Sequence, residues 1–210
     1  MRIAILLVLG LLLVGCGGSN DSEDSGGGNT SMDCEIGGDE SKAELAELED
    51  GKTHSVVVQT NKGSFTFELA TDISPCTTAA FAGLVQKGFY DGLTFHRIVP
   101  GFVIQGGDPQ GNGMGGPGYS TVDAPPQDTT YDKGLVAMAK AANEPPGTSG
   151  SQFFVVSADG VQLPPEYAVL GRVTDGIDVV EKIDKLGNPS DPSGSPTENV
   201  DIDKMELETG

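Results

Sequence analysis

A mainly β fold, closed into an eight-stranded antiparallel barrel and capped by two α-helices, is what this 210-residue chain predicts. Two observations carry the expectation. From His54 onward, short runs alternate apolar and polar residues between Gly and Pro breaks, and only two stretches of that part show a sustained helical spacing of apolar residues. Closure follows because an antiparallel barrel leaves no strand edge unpaired.

The elements divide into three segments. Residues 1–15 begin with Met1 and Arg2 and run apolar from Ile3 to Val14, broken only by Gly10. Such a run is too short for a bilayer, which needs about 20 residues, and fits the core of an export signal. Leu13-Val14-Gly15-Cys16 resembles the bacterial lipobox, which implies lipidation of Cys16 and cleavage before it. Residues 16–53 read as a lipid-anchored, flexible, acidic Gly/Ser linker. Residues 17–33 have Met32 as their sole large apolar side chain and cannot bury enough surface to fold. Residues 41–50 have the pattern of a short peripheral helix, marginal on its own. With Cys16 lipidated, Cys34 and Cys76 form an even pair in a compartment where disulfides persist. A bridge would close a loop of about 43 residues and stabilise the fold by roughly 4 kcal/mol. The alternative is two free thiols, with Cys76 near a helix start where its pKa would fall.

Residues 54–210 form the folded domain. Strands are expected at 55–60 and 64–69, joined by Asn61-Lys62-Gly63 with Gly supplying positive φ. A helix follows Pro75 over 77–87, with Ala80, Phe81, Leu84 and Val85 at helical spacing and a stop at Gly88. Further strands fit 93–98, 103–105, 135–139, 153–156 and 167–173, and a second helix fits 177–186. After a Pro, Ser and Gly loop at 188–196, residues 200–208 close the chain as a strand, with a bulge near Asp203 where alternation breaks.

Charge narrows the partners. Twelve Lys and Arg against 31 Asp and Glu leave −19, which excludes a general nucleic-acid binder because phosphate neutralisation needs many cations. An anionic membrane would repel such a chain everywhere except at a hydrophobic or lipid anchor. Familiar enzyme motifs fail. Gly51-Lys52-Thr53 lacks the first Gly of a phosphate-binding loop, since Ala46 stands there. Gly111, Gly113 and Gly116 match a dinucleotide pattern, but Pro117 and Gly118 follow where a helix must begin. His54 and His96 have no adjacent ligand pattern for zinc. No metal and no cofactor is called for.

One block stands apart: Phe95-His96-Arg97-Ile98-Val99-Pro100-Gly101-Phe102-Val103-Ile104-Gln105-Gly106-Gly107-Asp108, followed later by Gly150-Ser151-Gln152-Phe153-Phe154. In order and spacing, the chain from about Thr60 to Val180 resembles the cyclophilin family. Lys140 and the loop of residues 143–146 resemble bacterial members. The resemblance implies an eight-stranded barrel and peptidyl-prolyl cis-trans isomerase activity on exposed Xaa-Pro bonds. It also implies that Phe102, Val103, Phe154 and Leu163 line a pocket for the proline ring. Gln105 would orient Arg97 and the substrate carbonyl, Gln152 would flank the groove, and Ala139, Lys140 and Ala141 would offer backbone groups to an extended peptide. Tyr167 stands where many members have His. Gln162 stands where many carry Trp, and the chain has no Trp, so weak cyclosporin binding is expected.

The residues support the same chemistry without the resemblance. Rotation about an amide meets a barrier of roughly 18 to 20 kcal/mol because nitrogen donates its lone pair into the carbonyl. A permanent donor beside the prolyl nitrogen, in a site poor in water, favours the twisted state in which that nitrogen is pyramidal and basic. Arg97 is the catalytic candidate, since guanidinium stays charged and holds its fork in a fixed plane. Phe153 and Phe154 are neighbours on a strand and must face opposite ways, so one of them is core. His96 is given no role, because the rotation needs no general base. The expected protein is a monomeric isomerase of unfolded or extended proline-containing polypeptides, lipid-anchored outside the cytoplasm to a bacterial cell membrane or outer membrane. The alternative is a non-catalytic peptide-binding or chaperone lipoprotein on the same fold.

Overall fold

A computed structural model describes residues 33–210; the expected signal segment, the expected lipidation site Cys16 and the expected linker up to residue 32 lie outside them. Strand β1 is Ile36–Gly38, and a 3-10 turn follows at Glu40–Lys42. Next come β2 (His54–Thr60), β3 (Gly63–Leu69), helix α1 (Pro75–Gln86), β4 (Arg97–Val99) and β5 (Val103–Gly106). They are followed by β6 (Tyr119–Val122), β7 (Leu135–Met138), β8 (Thr148–Ser149), β9 (Phe153–Val156) and β10 (Val169–Asp175). Helix α2 (Ile177–Asp184) and β11 (Ile202–Thr209) end the chain.

Eight strands form the main sheet in the order β11-β2-β3-β10-β7-β9-β5-β4, all pairs antiparallel. The expected closure is corrected here: the sheet is an open, strongly curled half-barrel whose edges stand 13 Å apart. Strand β4 has only three residues, and it is the chain before it that meets the approach to β11, through the bridge of Thr94 with Asp201 and through the N–H groups of Gly92, Phe95 and Ile202 donating to the carbonyls of Ile202, Val200 and Leu93. β4 itself has no ladder with β11. The exposed edge of β4 is instead covered by the 188–196 loop, through Ile98 N–H donating to Gly194 C=O at 2.7 Å, a common means of guarding an unpaired strand. The bulge near Asp203 is present, as a register shift between Ile202 and Lys204 opposite β2.

The curl encloses the main core. Alternation puts Val56, Val58, Phe65, Phe67, Ile104, Val136, Phe153 and Val155 on its inner face. There Phe153 meets Phe81, Tyr90 and Phe95 edge-on at 5.6 to 5.9 Å. Helix α1 is buried all round from Cys76 to Val85. Its first turn gains no side-chain cap from Ser74; Asp123 supplies one, accepting from Thr77 N–H at 2.6 Å, where a carboxylate also complements the helix dipole.

Residues 36–53, which the sequence reading assigns to the linker, pack onto the domain. Strand β1 joins β6 and β8 in a second, three-stranded sheet, and Cys34 is bonded to Cys76. Beyond it, Ala46 N–H donates to Ala79 C=O at 2.9 Å. A Cβ on Gly83 would lie 2.1 Å from the Glu44 carbonyl oxygen, so helix and segment touch only because residue 83 is glycine. The helix expected at 41–50 reduces to the 3-10 turn. Strands β1, β6 and β8 had no periodic signal, being short and rich in Gly, Ser and Thr.

Candidate functional site

The site lies on the opposite face of the sheet from the main core. Cross-strand register aligns Arg97 with Gln105, Gln105 with Phe154, and Phe154 with Ala137. Pleating therefore sends these side chains outward together, while Ile104, Phe153 and Val155 turn inward. Outward residues two positions along, Val103 and Val156, are also paired. With Tyr131, Leu135 and Val169 they make a second apolar cluster, against which Phe102, Leu163 and Tyr167 pack.

This cluster floors a cavity of about 170 Å³ lined by Arg97, Phe102, Val103, Gln105, Ala139, Lys140, Phe154, Leu163 and Tyr167. Nine of the expected residues thus meet in one place. Gln152 and Ala141 do not line it; they lie along a larger adjoining groove. The Tyr167 ring stands edge-on to Phe154, with centroids 5.4 Å apart. Lys140 contributes more than backbone: its side chain is 3% exposed, its Nζ lies 3.2 Å from Glu166, and it sits 5.8 Å from the Tyr167 ring centroid. Tyr131 was not anticipated. Its hydroxyl donates to Tyr167 C=O at 2.7 Å and accepts from Tyr167 N–H at 3.0 Å, fixing the backbone of the pocket's wall. Gln162 is exposed and bonds only to carbonyls of its own loop.

Polar groups of the site form a chain. Arg97 Nη1 donates to Gln105 Oε1 at 3.2 Å, Gln105 Nε2 to Gln152 Oε1 at 3.0 Å, and Gln152 Nε2 to Gly115 C=O at 2.9 Å. Among the described residues Arg97 has no carboxylate within ion-pair distance; its charge is oriented by an amide and not neutralised. Asp108, the acid closest to it in the motif, serves the Gly-rich loop instead, accepting from the N–H groups of Gln110, Asn112 and Gly113 at 2.5 to 3.0 Å. Burial works to raise the Asp108 pKa, but the donors of Gln110, Gly113, Gly115 and Asn112 outweigh it and hold the carboxyl below its ordinary value. Both ring nitrogens of His96 are buried without a partner, and burial pushes its pKa down, against the opposing influence of Asp108. The ring favours its neutral form.

Known proteins resemble this chain over most of its folded part. The family model described as cyclophilin type peptidyl-prolyl cis-trans isomerase/CLD matches residues 55–207. The chain is 38% identical over 171 residues to a probable peptidyl-prolyl cis-trans isomerase B of Mycobacterium tuberculosis, covering 73% of this chain and 54% of that protein. It thus spans about half the length of that relative. It is 43% identical over 118 residues to peptidyl-prolyl cis-trans isomerase B of Bacillus subtilis, covering 56% and 80%. A Cryptosporidium parvum isomerase of the cyclophilin type, solved in the presence of the dipeptide Ala-Pro, superposes with a TM-score of 0.65 at 32% identity, covering 74% of this chain and 99% of that one.

Proposed function

Since this chain belongs to the cyclophilin-type peptidyl-prolyl cis-trans isomerases, we propose that it rotates Xaa-Pro bonds in unfolded or extended polypeptides, with the proline ring in the cavity floored by Phe154. The observation that carries this reading is the Arg97 fork, held by Gln105 at the rim of an apolar pocket and paired with no carboxylate among the described residues. A proline ring has no N–H donor to satisfy, so an apolar wall costs it nothing. Arg97 donates to the prolyl nitrogen as amide conjugation breaks. That interaction is stronger in the twisted state than in either planar isomer, which lowers the barrier. No bond is cleaved and no proton is transferred, so neutral His96 is no obstacle.

The test is isomerisation of a proline peptide by the soluble domain and by Arg97→Ala. A loss of about a hundredfold in kcat/KM is expected, in the range for removing one transition-state donor. Equal rates exclude the role of Arg97; binding without turnover by the unsubstituted domain establishes the alternative, a non-catalytic peptide binder. Adding cyclosporin to the same assay checks a further part of the proposal, weak inhibition, because exposed Gln162 offers no indole donor.

The same proposal places the protein outside the cytoplasm, lipid-anchored through Cys16, where it would help exported chains past slow proline steps. The Cys34–Cys76 bond supports that compartment. Labelling with radioactive palmitate should mark the expressed full chain and not Cys16→Ser; equal labelling of both removes the anchor.

A further inference from the structure

A second cavity of about 600 Å³ adjoins the proline pocket, and Gln105, Ala139 and Lys140 line both. Its lining combines bare backbone at Gly115, Gly116, Gly118 and Gly150 and short polar side chains such as Ser120 and Thr148 with the longer side chains of Met114, Tyr119 and Glu144. Gly37 and Gly38 of β1 form part of the wall. These two lie ahead of residues 55–207, the part of the chain that matches the family model.

This piece of wall is built to a close fit. Ile36, Gly37 and Gly38 pair with Thr121, Ser120 and Tyr119 of β6, and Asp39 N–H donates to Gly118 C=O at 3.1 Å. A Cβ on Gly37 would stand 2.6 Å from Ser120 Oγ; on Gly38, at φ +79°, it would stand 2.8 Å from the Gly118 carbonyl oxygen. Only glycine fits this line without displacement. A strand of three residues at a sheet edge has little stability of its own. Cys34, two positions before β1, ties it to Cys76 in the first turn of α1, and the Ala46 to Ala79 bond secures the chain beyond it.

Resting on the reading of the adjoining cavity as the proline site, we propose that β1 is a specificity-determining wall, pinned by the Cys34–Cys76 bond, for the stretch of polypeptide that flanks the proline. The occupant is the same extended chain whose proline lies next door, because shared lining residues make the two cavities one continuous surface. The β1 part of the wall, Gly37 and Gly38, offers backbone and no side chain, and so selects for an extended backbone rather than for a particular side chain. It therefore favours long substrates over short ones and leaves recognition of proline itself untouched.

Binding of a proline dipeptide and of a longer peptide extended on both sides of proline is measured by calorimetric titration, on the oxidised domain and on Cys34→Ser/Cys76→Ser, with thermal melts to confirm folding. The longer peptide should bind about three- to tenfold more weakly to the double variant, a loss on the scale of one net hydrogen bond, and the dipeptide equally well to both proteins. Gly38→Val, whose Cβ would stand 2.8 Å from the Gly118 carbonyl oxygen at φ +79°, should displace β1 with the disulfide intact and reproduce the drop on the longer peptide. An unchanged affinity for the longer peptide in both folded variants overturns the proposal, as does an equal loss on both peptides. If the unsubstituted domain binds neither peptide, it is the proline-site reading that fails.

Discussion

The two faces of the main sheet are made by the same strands and bury similar residues, yet they do different things. Inside the curl, Phe153 is fully buried among aromatic rings contributed by α1 and the loops after it. One residue later, Phe154 is 5% exposed and floors a cavity with a cation at its rim. The inner face is filled to exclusion, whereas the outer face is an apolar surface left partly uncovered. The candidate site is a second, smaller core with its lid omitted.

That contrast can be broken by exchanging the costs of the two phenylalanines. Phe153→Ala should produce the largest effect, about 3 to 5 kcal/mol lost in denaturant unfolding, as for other large core truncations. Phe154→Ala should cost about half as much, because one side of the ring has fewer partners to lose, and should raise KM for a proline peptide. Equal stability losses with unchanged KM would erase the distinction between the faces. Arg97→Ala comes next: a hundredfold in rate corresponds to about 2.7 kcal/mol of transition-state stabilisation, with almost no change in unfolding because its partner is the side chain of Gln105.

Much of this was legible in the sequence, for identifiable reasons. Strands β2, β3, β9 and β11 announce themselves by alternation or apolar runs between Gly breaks, and the pair Phe153-Phe154 required one side chain on each face. Arg97 and Gln105 were legible only through the family resemblance; the register of β4 against β5 is what puts them in one cross-strand row. What was not legible depended on distance in three dimensions. Whether the sheet closes is decided by the three-residue length of β4 and by a loop that covers its edge. The segment 36–53 has the composition of a tether, but bonds to Thr121, Ser120 and Ala79 hold it, and no hydrophobic period records them. Tyr131 sits in a loop, so nothing in its neighbours pointed to the backbone of Tyr167.

Asp108 offers the smallest and most selective way to sharpen the comparison, since it belongs to neither face. It is 2% exposed and organises the Gly-rich loop, whose Gly115 carbonyl accepts from Gln152 at the far end of the chain that leads through Gln105 to Arg97. Asp108→Asn replaces an acceptor-only group with one that presents two donors to backbone N–H groups, and should cost about 1 to 3 kcal/mol at neutral pH. The sign of the pH dependence follows from its depressed pKa. A carboxyl whose folded pKa lies below its unfolded value stabilises the fold above the unfolded pKa, and that contribution is lost as pH falls through the folded one. The stability gap between wild type and Asp108→Asn should therefore narrow below about pH 4. Loosening the loop should also lower kcat/KM several-fold through Gln152, while leaving KM for a proline dipeptide nearly unchanged, because the apolar floor is untouched. A constant gap across pH, or a loss of activity that appears only in KM, would show that the loop does not aim Arg97 and that Gln105 holds it unaided.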